Sequence, residues 1–572
     1  MKILFDYAKK YKKEIFLQLI FASIWVFSQL VIPGFMAQII DRGIMVGDMN
    51  FVLTRGGFMV IASLINVLSL LVSLYFLTHV TAGISRDMRG DLFEKAIGWS
   101  KETRQNFSTS TLITRNINDV KQVSNFIDMS LRKLFTLTLT IVGSVFLAFS
   151  LDATMAAFMF LIIPFVLIIT SLLTSRAVPQ YSKIRSATDS INRLFRQNMT
   201  GIRVVKAFGK SEYEKRKFGE AVEEAYDANV KAEGAMMLLA PLVMLFVNIL
   251  VLFILWFGGV RVESGLVQVG VLVAIIEYVT MALNNVQSFA TIITIVPRAK
   301  VSLERIEEVL NTKEVIGIEE GESKDLGTSK AIEVRGLTFN YPGALYPAIE
   351  NASFTLNKGE TKAIIGATGS GKSTLLRLLM RDYEATSGEV IVAGKDIKDL
   401  KEGDFNNIFT IIPQRTFLFS GTIRENIQMG KEDASDEEVW KVLDLCDMGE
   451  FFRSSEDGLD THIAQNAVNL SGGQKQRISL ARGIIRESDY YVFDDCFSAL
   501  DFATDKRIRE GMREYLKGKG VLIVAQRIAT VENADEILVM DDGEIVDKGT
   551  HDFLIDNSKI YQEIFSSQIR EE

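Results

Sequence analysis

Six stretches of the chain are apolar at nearly every position: 15–40, 56–78, 134–151, 153–175, 234–260 and 265–297. Each is near or above the roughly 20 residues that cross hydrocarbon as a helix. The first five contain no Asp, Glu, Lys or Arg, and Asp152 alone parts the third from the fourth, which predicts a tight hairpin. Segments 79–133 and 176–233 are polar but keep apolar positions at helical spacing, such as Ile184, Ile191, Leu194 and Phe195. The spacing predicts membrane helices that continue well beyond the bilayer. Ahead of the first span, Lys2, Lys9, Lys10, Lys12 and Lys13 alternate with Leu4, Phe5 and Tyr7, a pattern suited to a helix on a membrane surface or to a solvated basic tail. After the sixth, Val301, Leu303, Ile306, Val309 and Leu310 predict a helix leaving the membrane. Polar, glycine-containing sequence then reads as a linker over 313–330, and from 331 the pattern becomes that of a soluble α/β domain. The expected architecture is an all-α transmembrane domain of six helices over 1–312, followed by an α/β domain over 331–572.

Composition agrees with this division. Of 572 residues 48% are hydrophobic and 37 are Phe, more than a soluble protein of this size carries. The first apolar run is too long for the core of a cleaved signal. A net charge of −8 gives no reason to invoke nucleic acid, and Cys446 and Cys496 are expected to be buried free thiols. Charge also orients the chain. Segments 79–133 and 176–233 hold Arg86, Arg89, Lys95, Arg104, Arg115, Arg132, Lys133, Arg185, Arg193, Arg196, Arg203, Lys206 and Lys215, whereas the short opposite loops offer only Arg42, Arg55 and Arg261. The positive-inside rule then places both termini and both long segments in the cytoplasm. Glu277 is the one acid inside an expected span, near Asn284, Asn285 and Gln287. A carboxylate at that depth is either a contact for a cationic substrate or a helix-packing group satisfied by a neighbour. Asn66 and Asn248 read as interhelical hydrogen-bonding residues.

The chemistry lies in the second half. Ala363-Ile364-Ile365 is a short buried-strand pattern running into Gly366-Ala367-Thr368-Gly369-Ser370-Gly371-Lys372-Ser373-Thr374, with a helix pattern after it. This is a phosphate loop in its strand–loop–helix context. Its glycines let consecutive backbone N–H groups face an anion, and the following helix adds its positive end. Lys372 is expected to reach the β- and γ-phosphates of ATP, and Ser373 to ligate Mg²⁺. A second buried strand, Tyr490–Phe493, delivers Asp494 to the magnesium shell, and Asp495 falls where a water-orienting carboxylate belongs.

Together with Pro413-Gln414-Arg415, Leu470-Ser471-Gly472-Gly473-Gln474 and Ser498-Ala499-Leu500-Asp501, these residues resemble the ABC exporter half-transporters, and the resemblance spans essentially the whole chain. It implies that Tyr341 stacks on adenine. Gln414, in Pro413-Gln414-Arg415, takes the place of the Q-loop glutamine that touches Mg²⁺ and relays to the membrane domain. Leu470-Ser471-Gly472-Gly473-Gln474 matches the signature that completes the ATP site of a partner chain, and Ser498-Ala499-Leu500-Asp501 matches the D-loop. Segments 107–119 and 201–208 match those carrying the two coupling helices.

The chain departs from the family at Asp495, where glutamate is usual, and at Gln526, where a switch histidine is usual. Gln526 can hydrogen-bond a γ-phosphate but cannot carry a proton. A positioned acid–base group is worth about 10²–10⁴-fold in rate, so ATP is expected to bind well and turn over slowly at this chain's own site. Ala464-Gln465-Asn466-Ala467 replaces the usual Gly-Glu-Arg-Gly. The resemblance thus implies one subunit of a heterodimeric exporter of hydrophobic, amphiphilic or cationic compounds in a bacterial plasma membrane. Its signature would serve a partner half-transporter that retains both catalytic residues. Two alternatives stay open: a slow homodimeric exporter, and a membrane-bound ATP sensor that transports nothing.

Overall fold

A computed structural model describes residues 2–99, 103–104, 106–312, 331–400, 405 and 407–569, with the side chains of 159, 161–164, 166–167 and 283–294 outside the description. The expected linker at 313–330 lies outside the described residues. The chain divides into two compact units: residues 1–98 with 108–312, and residues 99–107 with 313–572.

The first unit is entirely helical among its described residues. Its long members are Lys12–Gln38, Met49–Ile97, Phe135–Leu151, Met159–Thr200, Ser211–Met237, Leu239–Glu263 and Val269–Asn311. Met49–Ile97 runs 49 residues, roughly 70 Å at helical rise, more than twice the depth of a bilayer core. The expected extension of the spans beyond the membrane is therefore present. Among the described residues four helical segments are long and apolar enough to cross a membrane, Lys12–Ile44, Met49–Ile97, Thr109–Leu151 and Ser211–Glu263, with a shorter apolar helix at Val269–Ala282. The remaining two of the six expected spans fall in Met159–Thr200 and Val269–Asn311, helices that run through the residues whose side chains are not described.

Between the third and fourth apolar runs Asp152 leaves helical geometry (φ −153°, ψ 113°) and caps the next helix by accepting from the Met155 N–H at 2.9 Å, but the expected tight hairpin does not form: Phe135–Leu151 packs on Lys12–Gln38 and Val269–Asn311, whereas Met159–Thr200 packs on Ser211–Met237. The other Asp152 oxygen receives the Arg261 guanidinium at 2.8 Å, so the single polar residue between two apolar runs is satisfied twice. The N-terminal residues do form a helix, Lys2–Lys10, whose Tyr7 hydroxyl donates to Asp91; Tyr11, just beyond it, donates to Asp87 at 3.0 Å. Asn66 donates to the Trp25 carbonyl at 2.8 Å, the interhelical bond expected of it. Asn248 is exposed and makes no such bond among the described residues.

The second unit is α/β. A four-stranded antiparallel sheet has the order β2-β1-β4-β5, with β1 at Ala331–Phe339, β2 at Ile349–Asn357, β4 at Ser387–Val392 and β5 at Lys395–Asp396. A six-stranded sheet has the order β12-β11-β3-β10-β9-β6. Its members are β3 (Thr361–Gly366), β6 (Phe409–Ile412), β9 (Tyr490–Asp494), β10 (Gly520–Val524), β11 (Glu536–Asp541) and β12 (Glu544–Gly549), while β7 (Gly421–Thr422) and β8 (His462–Ile463) pair separately as a short antiparallel ribbon. All neighbours in the six-stranded sheet are parallel except β12 against β11. Strands buried on both faces read as unbroken apolar runs. Accordingly Ile364, Ile365, Val492, Phe493, Leu522 and Val524 are all buried.

Candidate functional site

The order of the large sheet builds the site. Strands β3, β10, β9 and β6 lie side by side and parallel, so the segments leaving their carboxyl ends emerge along one edge. These segments are the phosphate loop after β3, Gln526 after β10, Asp494-Asp495 at the end of β9 and Gln414 after β6. Ligands in open parallel sheets bind at this carboxyl edge. A cavity of about 460 Å³ opens there, lined by Tyr341, Thr368, Gly369, Gly371, Lys372, Ser373, Thr374, Gln414, Asp494, Asp495 and Gln526 among others. Tyr341 and Gln526, 185 positions apart in sequence, are thereby brought to one site.

The loop needs its glycines for two separate reasons. Gly369 and Gly371 have φ of +93° and +100°, a region that residues bearing a Cβ rarely adopt. At Gly366 an added Cβ would also lie 2.2 Å from the Met540 carbonyl oxygen, so β11 can only approach a bare α-carbon there. The Lys372 ammonium lies within the loop and donates to the Gly366 and Ala367 carbonyls, both at 2.7 Å, and to Ser370 Oγ at 3.3 Å. Burial lowers its pKa from the ordinary lysine value, opposed by the charges of Asp495 and Asp494. Phosphate oxygens in the cavity would supply anionic partners for that buried cation. Tyr341 stands at the cavity wall, its hydroxyl 3.1 Å from Thr374 Oγ1 and accepting from Arg377 at 3.2 Å. Phe339 and Tyr383 meet its ring edge-on at 5.0 and 5.5 Å, which fixes the ring plane.

At the other end, Asp495 is buried and has φ +46°, a conformation that aspartate tolerates better than most residues. Its N–H donates to the Val524 carbonyl at 2.8 Å. Its Oδ2 accepts from two amides, Gln414 Nε2 at 2.8 Å and Gln526 Nε2 at 3.3 Å. Burial raises the carboxyl pKa, against the pull of the Gln414 amide and the Lys372 charge. Three residues from three strand ends thus share one carboxylate oxygen. Ser373, Gln414 and Asp494 line the same cavity and offer only oxygen donors to a cation, the hard set that suits Mg²⁺.

None of Ser471–Gln474 lines that cavity. Ser471 caps the helix Gly472–Ile484 in a reciprocal box: its Oγ accepts from the Gln474 N–H at 3.3 Å, and Gln474 Oε1 accepts from the Ser471 N–H at 2.8 Å. Ser471 and Gly472 are exposed. Asp501 caps the helix Phe502–Tyr515 through the Thr504 N–H at 3.0 Å, which lowers its carboxyl pKa. In the departing segment, Asn466 and Ala467 both take left-handed φ, 58° and 51°. Ala467 therefore holds a conformation that glycine would adopt without cost.

Two cavity residues had a sequence signal that went unread. Asp542-Gly543 is a two-residue turn between apolar strands, the usual mark of a hairpin, and it carries β11 into β12 at the mouth of the cavity. In the membrane unit, Glu277 is exposed and makes no hydrogen bond or ion pair among the described residues, while Tyr278 beside it is buried and donates to the Leu30 carbonyl at 2.8 Å. The side chains of Asn284, Asn285 and Gln287 lie outside the described residues.

Comparison with known proteins follows the same division. Residues 15–286 match the ABC transporter transmembrane region and residues 349–498 match the ABC transporter family. An ABC transporter ATP-binding protein of Mycobacterium tuberculosis is 33% identical over 572 residues, covering 99% of this chain and 98% of the relative. YgaD of Bacillus subtilis, described as a candidate multidrug export ATP-binding/permease protein, is 28% identical with 99% of each chain covered. An ATP-dependent lipid A-core flippase of Photobacterium profundum is 28% identical over 87% of this chain and 85% of its own. The fold is also similar to that of a bacterial Atm1-family ABC exporter with ATP bound, with a TM-score of 0.78, 20% identity and 98% of each chain covered. On its full-length relatives and its two matched regions, the chain belongs to the ABC transporter family, as an exporter half-transporter with a transmembrane domain fused to an ATP-binding domain.

Proposed function

We propose that this chain is the degenerate-site subunit of a heterodimeric ABC exporter that moves hydrophobic, amphiphilic or cationic compounds out of a bacterial plasma membrane, with both termini cytoplasmic. The domains run 1–312 and 331–572, joined by a linker at 313–330. ATP sits against Tyr341 and the loop Gly366–Thr374, with Mg²⁺ held by Ser373, Gln414 and, through water, Asp494. When bound, Mg²⁺ neutralises charge on the transferring phosphoryl group.

The observation that carries the reading is the state of Asp495. Its carboxylate ends one methylene short of the usual glutamate and accepts from the amides of Gln414 and Gln526 on one oxygen. Gln526 cannot take up a proton as a histidine would, and Asp495 is left as a shortened carboxylate held by two amides, so the site lacks the glutamate–histidine pair that speeds water attack. The intact loop retains every feature needed to hold ATP. Ser471–Gln474, lying outside this cavity, serves the partner's ATP together with the D-loop around Asp501. The relatives named for multidrug export and for lipid A-core flipping favour a membrane-soluble substrate. Glu277, unpaired among the described residues, is the candidate contact for a substrate's positive charge.

The purified chain alone tests this directly. It should bind Mg-ATP and hydrolyse it negligibly; brisk hydrolysis by the chain alone overturns the degenerate-site assignment and favours the homodimer.

A further inference from the structure

The helix Lys559–Ile569 near the C-terminus reaches back to the segment that carries Gln526. Gln568 Nε2 donates to the Gln526 carbonyl at 2.7 Å, and Gln568 Oε1 accepts from the Ile528 N–H at 2.9 Å. The two bonds fix the amide orientation unambiguously, because a carbonyl can only accept and an N–H can only donate. Ile528 opens the short helix Ile528–Val531, and its flanking residue Arg527 makes no side-chain cap, so Gln568 satisfies an N–H that the helix itself leaves unpaired.

The clamp rests on a rigid base. Tyr561 is fully buried with its hydroxyl 2.7 Å from His551 Nδ1. Ile564 and Phe565 pack on a core that includes Ala525, Ile528 and the phosphate-loop strand residues Ala363 and Ile365. One small core therefore joins this helix, the strand before Gln526 and the strand before the phosphate loop.

We propose that Gln568 is a positioning residue of the ATP site: it straddles Arg527, fixes the backbone of Gln526–Ile528, and so sets where the Gln526 side chain meets the γ-phosphate. This rests on the reading of Gln526 as a γ-phosphate contact. Gln568 does not line the cavity, and its effect should appear only in what distinguishes ATP from ADP.

The test is titration of the full-length chain in detergent with Mg-ATP and Mg-ADP. Gln568→Leu keeps a side chain of similar bulk and deletes both bonds, and should lower the ATP/ADP affinity ratio by about 5–10-fold, on the scale of one to two neutral hydrogen bonds. The ADP affinity should stay within about twofold. The near-isosteric Gln568→Glu keeps the acceptor for Ile528 and loses the donor to Gln526, and should also lower the ratio; it decides the matter if the leucine variant does not fold. An unchanged ratio, or equal weakening of both nucleotides, overturns the proposal in favour of a purely structural helix cap. Gln526→Ala separates the two layers. If it lowers the ratio and the Gln568 variants do not, only the positioning role fails; if it leaves the ratio unchanged, the γ-phosphate contact itself fails, and the role of Gln568 with it.

Discussion

Replacing Gly371 by alanine isolates what the phosphate loop requires of its backbone. Gly371 has φ +100°, outside even the small left-handed region open to other residues, and imposing that region on an L-residue costs roughly 1–2 kcal/mol. The new Cβ would lie 2.8 Å from the Ala348 carbonyl oxygen and 2.9 Å from Ile349 Cδ1. The first is backbone and cannot rotate aside, so the loop must shift, at a typical overpacking cost of about 1–3 kcal/mol. If the combined ~2–5 kcal/mol is expressed in the nucleotide-binding geometry, Mg-ATP affinity falls about 30-fold to several-thousand-fold. Gly369→Ala provides the contrast. Its φ of +93° imposes similar strain, but nothing lies within 4 Å of its Cβ position, so the loss should be confined to about 5–30-fold. Equilibrium titration of both full-length variants with a fluorescent ATP analogue, alongside thermal melts to confirm folding, reads the difference. Gly371→Ala binding within threefold of the unaltered chain, or Gly369→Ala binding more weakly than Gly371→Ala, refutes the reasoning.

Further consequences are open to measurement. Combining Asp495→Glu with Gln526→His should raise hydrolysis at this chain's own site by about tenfold or more, and unchanged kinetics in the assembled pair would count against the role given to the two residues. Glu277→Gln should slow transport of a cationic dye several-fold while leaving a neutral substrate unaffected; unchanged transport of the cationic dye would remove Glu277 from the pathway. Burial raises the pKa of the Cys446 and Cys496 thiols, so both stay protonated near pH 8. Both should resist a small alkylating reagent in the native chain and react after guanidinium unfolding, where the ordinary pKa of about 8.5 returns; rapid native labelling would show that the helices around them open.

The fold was legible where one physical signal dominates. Long uncharged apolar runs have few alternatives to spanning helices, and the glycines of 366–371 have few uses other than a backbone-lined anion site. Asp152 is legible as a break between two apolar runs, and capping Met155 and pairing with Arg261 satisfy it there, but no local pattern shows that the helices on its two sides pack on different neighbours rather than on each other. Strand order was not legible. That β10 lies between β3 and β9, and so puts Gln526 beside Asp495, depends on pairings of Val521 with Thr361 and of Gly520 with Tyr490, 160 and 30 positions apart, that no local pattern encodes. The two-residue turn at Asp542-Gly543 signals a hairpin only once the runs on either side of it pair as strands. Gln568 gives no signal at all: an isolated glutamine acquires a role only through the tertiary position of its amide.

The central claim is that this chain's two halves of ATP chemistry serve different nucleotides, the phosphate loop its own and the signature a partner's. The most direct measurement is steady-state ATP hydrolysis by the chain co-purified with its partner, comparing Ser471→Ala with Lys372→Met, both made in this chain. The account predicts that Ser471→Ala abolishes most of the activity, because it disables the partner's competent site, while Lys372→Met leaves a substantial part. Equal loss from both, or a larger loss from Lys372→Met, would contradict it.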